Sequence, residues 1–228
     1  MVSAFIGAGF THGGRAVLLA ALISLMTSGV GNAATLGISS AYLTAATRLY
    51  GAPVMCTLTA VADSYVDSTL ATTNFGTGGV LNLNPSSVGT ERAFVRFDLT
   101  ACSPAIPADA IVQTAQVRLT VASLVLATRT IDLRRPVTSW TEVGVTWNTQ
   151  PAAAGSVTGS ASVTAGQAAG TVISWTATSD VQSFVTAAAT DFGFRLNDSA
   201  EGGLGFVLSF NSREAASGRP QLVVTYVS

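Results

Sequence analysis

The chain has 228 residues, a formal net charge of −1 and only 10% charged residues, and its positive charge is all arginine because lysine is absent. Without a basic run it lacks the electrostatic footprint of a nucleic-acid binder. So few charges require a surface of Thr, Ser, Asn and Gln, which suits an extracellular β protein.

Arg15 precedes an apolar run over residues 16–26, and the small-x-small site Gly31-Asn32-Ala33 follows. This layout predicts a secretory signal peptide over residues 1–33, cleaved after Ala33; retention as an uncleaved anchor is the alternative. The run is shorter than the about 20 apolar residues a membrane span needs. Residues 34–53 are small, Ala/Ser/Thr-rich and nearly uncharged, and read as a linker or N-terminal extension. Residues 54–228 then form one domain with a real core.

Within that domain, short runs of β-branched residues alternate with Gly, Pro, Asn and Ser. Strands are expected over 54–62 and 80–84. Cys56 and Cys102 are the only cysteines, and in an exported chain such a pair reads as a disulfide. Closing a loop of roughly 47 residues, it is worth about 4 kcal/mol. Between those strands, ADSYVDSTLATTNFGTGG places Asp63, Asp67 and Asn74 before Gly76. Such hard oxygen donors near a turn are the raw material of a structural calcium site, although Asx residues in turns also bond their own backbone.

Residues 93–99 alternate, with Val95, Phe97 and Leu99 on one face and Phe94, Arg96 and Asp98 on the other. Similar alternation predicts strands over 115–121 and 128–137. SWTEVGVTWNTQP, residues 139–151, holds two of the three tryptophans. Strand parity puts Trp147 beside Val145 and inside, and leaves Trp140 as the exposed ring. Residues 152–170 read as a long surface loop. Strands over 172–176, 192–197, 205–210 and 221–227 follow, with a helix over 180–188 placing Val181, Phe184 and Val185 at helical spacing and capped by Ser179 or Asp180. About nine strands and one short helix indicate an all-β fold, an antiparallel β-sandwich of jelly-roll type.

Removing the leader takes away His12, the only histidine. With no lysine either, Ser-His-Asp, Cys-His and Lys-nucleophile chemistry are excluded. A glycosidase needs only two carboxylates, but no pair among the Asp and Glu residues stands out. Arginine with exposed aromatics points instead to sugar binding, since rings stack on pyranose faces and guanidinium forks grip carboxylates. The candidate ligand set is Arg134, Arg135, Trp140, Glu142, Arg195 and Arg213.

The series ADSYVDSTLATTNFGTGGVLNL, ERAFVRFDL, IPADAIVQTAQVRLTV, SWTEVGVTWNTQP and FNSREAASGRPQLVVTY resembles, in order, the DNRLRE-domain family, disaggregatase-related and grouped with carbohydrate-binding modules. The resemblance implies a secreted or cell-surface β-sandwich, often joined to polysaccharide-active enzymes or large surface proteins. Some such domains bind acidic polysaccharides such as alginate. The expectation is a secreted, non-catalytic module for a polysaccharide, with no nucleic-acid partner. The alternative is a structural subunit of an extracellular matrix, filament or cell surface, self-associating through a sheet edge.

Overall fold

A computed structural model describes residues 51–203 and 205–228. The expected signal peptide, and the expected linker up to residue 50, lie outside them. Eleven strands and one helix are formed: β1 (Val54–Thr59), β2 (Ala62–Asp67), β3 (Val80–Leu83), β4 (Glu91–Arg96), β5 (Ile111–Thr120), β6 (Arg129–Arg134), β7 (Gly159–Val163), β8 (Val172–Thr176), α1 (Thr178–Val185), β9 (Phe194–Asp198), β10 (Leu208–Asn211) and β11 (Gln221–Val227). One sheet runs β1-β11-β5-β8, a second β2-β4-β9-β6-β7, and β10 pairs with β3. Every strand pairing is antiparallel. The all-β antiparallel sandwich with one short helix is therefore the fold.

Two strands depart from expectation. β2 occupies residues read as a donor-rich turn; Ala62, Asp63, Ser64 and Val66 are buried while Tyr65 and Asp67 are half-buried, so it shows no apolar–polar alternation. β7 lies within the stretch read as a surface loop. Its Gly-Ser-Ala-Ser-Val sequence carries little strand signal, and edge pairing with β6 through the backbone forms it. In α1 neither Ser179 nor Asp180 caps the start, which has Ala177 at that position and no side-chain cap. Val181 is buried, and Phe184 and Val185 pack against the core, as their spacing implies.

The two large sheets enclose the main core. Val95, Ile131, Leu133, Phe194 and Leu196 from one meet Leu58, Val117, Leu119, Trp175, Leu222 and Val224 from the other. Trp175 is fully buried, donates its indole N–H to the Ile131 carbonyl at 2.8 Å and meets Phe210 edge-on. A second, smaller core lies outside the sandwich. There Ala62, Val66 and Phe94, on the outer face of β2 and β4, are covered by Trp140 and Val145.

Cys56 and Cys102 form a disulfide, tying β1 to the 3₁₀ turn over Leu99–Ala101. Denatured, unreduced protein is expected to contain no free thiol. Replacing both cysteines by serine should cost about 2–5 kcal/mol in urea unfolding; an unchanged midpoint would show the bond to be incidental. At the domain's ends, the Gly51 N–H donates to the Ser228 carbonyl at 3.1 Å.

Candidate functional site

β4, β9 and β6 lie side by side, and their register decides which residues look outward. Phe94 pairs with Arg195, and Arg195 with Arg134, so the three share the outer face of the five-stranded sheet. Asn197 pairs with Asp132 two residues along on that face, and Arg92 stands two residues before Phe94 on β4. β9 and β6 thus each contribute one guanidinium, and β4 contributes Arg92 here and Arg96 farther along the same face, over Trp140.

Their surroundings differ. The Arg92 guanidinium stacks 4.6 Å above the Trp147 ring. It donates to both Glu201 carboxylate oxygens at 2.8 and 2.6 Å, and to Gln150 Oε1 at 3.2 Å. Arg134 donates to Asp132 Oδ2 and to the Gly155 carbonyl, each at 3.1 Å. Arg195 between them forms no ion pair among the described residues. Its one hydrogen bond goes from Nη2 to the Asn197 amide oxygen at 3.2 Å, and its Nε is buried with no acceptor. Burial, and then the positive charges of Arg92 and Arg134 opposed by Glu201, bring its pKa down from the usual guanidinium range to about 10. A half-desolvated cation between two others, with donors unmet, favours an incoming anion, and its planar fork suits a carboxylate. Asn197, Asp132 and Ser160, whose hydroxyl donates to Asp132 at 2.6 Å, add polar groups for hydroxyls.

The turns of residues 139–151 cover the β2–β4 half of the same face. Glu142 anchors them: it accepts the Asp63 N–H at 2.9 Å, the Arg213 Nε–H, and Arg213 Nη2 at 2.8 Å. The Arg213 backbone N–H returns to Asp63 Oδ2 at 2.7 Å. The Asn74 amide donates to the Glu142 and Val145 carbonyls, each at 2.7 Å. Gly76 must be glycine, since a Cβ there would sit 2.2 Å from the Glu142 carbonyl oxygen. Four separate segments are thereby tied into one clamp.

Residues 54–226, spanning the clamp and the arginine row, match carbohydrate-binding module family 96. The chain belongs to that family. No curated protein sequence matches it.

Within this family 96 module, the residues expected at the ligand site divide into separate groups. Arg134 and Arg195 fall together in the row. Arg135, the next residue on the chain, instead pairs with Asp180 of α1 at 3.5 Å. Glu142 and Arg213 belong to the clamp. Trp140, expected to be exposed, is only 5% exposed; its ring tilts against Phe94, its N–H donates to the Phe192 carbonyl at 2.8 Å, and Arg96 lies over it. Trp147, expected inside, is only half-buried. The reversal has one cause: residues 139–151 form turns, with Gly144 and Val145 both donating to the Thr141 carbonyl, so strand parity does not apply. Arg92, Gln150 and Glu201 escaped the sequence reading. Arg92 had a usable signal, because extending the 93–99 alternation back one step puts it beside Phe94.

The three expected cation ligands do not converge in the module. Asp63 and Asp67 are four residues apart on β2, so their Cα atoms are about 13 Å apart. Asp67 accepts the backbone N–H and hydroxyl of Thr69, and Asn74 is engaged by the clamp. Asp63 instead meets Glu142 and Glu214, one oxygen of each lying within 4.8 Å of the others. The Arg213 Nε–H points to both glutamates, 3.0 Å from Glu214, and supplies the positive charge there.

Two buried carboxyls make stability depend on pH. Burial first, opposed by the Arg213 N–H and reinforced by Glu214 and Glu142, raises the Asp63 pKa from 3.8 to about 7. Burial and the Asp67 charge, partly offset by Asn82 and Arg129, likewise raise Glu91 from 4.5 to about 7. In both cases the folded state holds the proton more tightly than the unfolded chain. Their contribution is complete below about pH 4 and is lost as pH rises to about 7. The urea midpoint should therefore fall across that window and flatten in part in Asp63→Asn, whose amide oxygen can still accept the Arg213 N–H. An unchanged slope in the variant would refute the assignment.

Proposed function

We propose that this family 96 member is a secreted, non-catalytic carbohydrate-binding module whose ligand is an acidic polysaccharide lying across β4, β9 and β6. The observation that carries the reading is Arg195, set between Arg92 and Arg134 and forming no ion pair. Each neighbour already holds a protein carboxylate, Glu201 or Asp132. Arg195 is therefore the position where a sugar carboxylate would be taken up, with Asn197 bonded to it and Trp147 against the neighbouring Arg92. Engagement of Glu201 and Asp132 by arginines also supports a binding role over acid–base work, which needs a carboxyl free to exchange a proton. The resemblance to DNRLRE domains supports the same reading, and the sequence layout before residue 34 supports export.

Affinity electrophoresis through gels containing alginate, pectate or a neutral glucan tests it. Migration should be retarded in an acidic gel and the effect weakened by salt. Folded protein that runs freely through every acidic polysaccharide would sink the proposal.

A further inference from the structure

We propose a second sugar site, an end-on pocket for the terminal ring of a glycan chain, at the end of the sandwich where the β3–β4, β5–β6 and β9–β10 loops meet. The proposal rests on the chain being a glycan binder, but on none of the residues of the arginine row. A cavity of about 750 Å³ lies there, walled by Pro85, Ser86, Thr130 and Phe206. That is within the range of small-ligand pockets, which combine apolar walls with a few converging polar groups.

Its polar floor is the Arg129–Asp198 pair, paired through Arg129 Nε and Asp198 Oδ2 at 2.6 Å, with the two side chains only 8% and 4% exposed. Asp198 Oδ1 accepts the Ala200 N–H at 2.8 Å. Arg129 Nη1 donates to the Phe206 carbonyl, which ties the floor to the aromatic wall. Arg129 Nη2 is buried and has no acceptor. A buried guanidinium nitrogen left without a partner is uncommon, since such groups are normally satisfied. The Arg129 charge also acts on the buried Glu91 carboxyl, opposing the rise in its pKa.

At the rim, Phe206 is 59% exposed. An aromatic ring held beside a neutral ion pair suits a pyranose, with its apolar face on the ring and its hydroxyls on the polar floor. Because Arg129 and Asp198 neutralise each other, this pocket selects hydroxyls, whereas Arg195 selects a carboxylate. The two sites are linked along the chain: Asp198, Ser199 and Ala200 line the pocket, and Glu201 next to them holds Arg92. A chain crossing the arginine row therefore has a pocket beside its path where its end can turn in.

The test uses the full chain with arginine labelled by ¹⁵N, titrated with cellotriose, mannotriose and trimannuronate. The Arg129 Nε–H signal reports the pocket and the Arg195 Nε–H signal the row. At least one trisaccharide should shift the Arg129 signal saturably. Phe206→Ala, which removes an exposed side chain, should weaken that binding about five-fold or more with an unchanged unfolding midpoint. No saturable Arg129 shift with any of the three, or unchanged affinity in Phe206→Ala, overturns the pocket. A shift at Arg195 alone overturns the pocket and leaves the row standing. A shift at Arg129 alone, lost in Phe206→Ala, supports the pocket and counts against the row.

Discussion

Arg195→Ala is expected to abolish at least about nine-tenths of the affinity for acidic polysaccharide, since a desolvated, bidentate guanidinium–carboxylate contact is among the stronger polar interactions. The fold should not suffer. The side chain holds only one hydrogen bond to the protein, to Asn197, and its removal relieves repulsion from Arg92 and Arg134. The unfolding midpoint should therefore hold or rise while binding falls, a combination that a merely structural arginine does not produce. Arg195→Lys keeps the charge but loses the fork, and should fall between wild type and alanine. Arg135→Ala is the matched control, because Arg135 pairs with Asp180, outside the row, and should leave affinity unchanged. Equal retention of Arg195→Ala and wild type would remove the basis for placing the ligand on this face.

The largest effect on stability is expected at Glu142. Its side chain is 17% exposed and receives the Arg213 fork, whose own side chain is 37% exposed, together with the Asp63 N–H. Breaking a well-formed buried pair costs about 3–5 kcal/mol. Partial exposure here screens the charges, so about 2–3 kcal/mol is the expectation for Glu142→Ala. The loss should spread to the outer core, since the same clamp holds Trp140 against Phe94. Tryptophan emission should accordingly change before the main transition in urea. A double-mutant cycle with Arg213→Ala should return a coupling of about 1–3 kcal/mol. Strict additivity would show that the clamp is not one unit.

What was legible in the sequence follows from how local each signal is. Val172–Thr176 and Gln221–Val227 match the expected strands residue for residue. In β11 the β-branched run is bounded by Pro220. β2 was hidden because the polar Asp63 and Ser64 are buried along with Ala62 and Val66, which erases the apolar–polar period. Trp140 and Trp147 were exchanged because residues 139–151 form turns, which put Trp140 against Arg96 and Phe192 and Trp147 against Arg92, contacts that strand parity does not report. The arginine row is a product of register between β4, β9 and β6. Arg134 and Arg195 could be chosen by residue type, but within the row Arg195 differs from Arg92 and Arg134 in lacking a carboxylate partner, which no local pattern reports.

The hydrogen bond between Gly51 and Ser228 has a geometric consequence. The chain enters and leaves the domain at a single point beside β1 and β11, on the sheet opposite to the one carrying Arg195. A domain with adjoining entry and exit can be spliced into a host loop, or permuted by joining residue 228 to residue 51, with little distortion. A tether attached at that point would hold the module from behind and leave the arginine-bearing side turned outward.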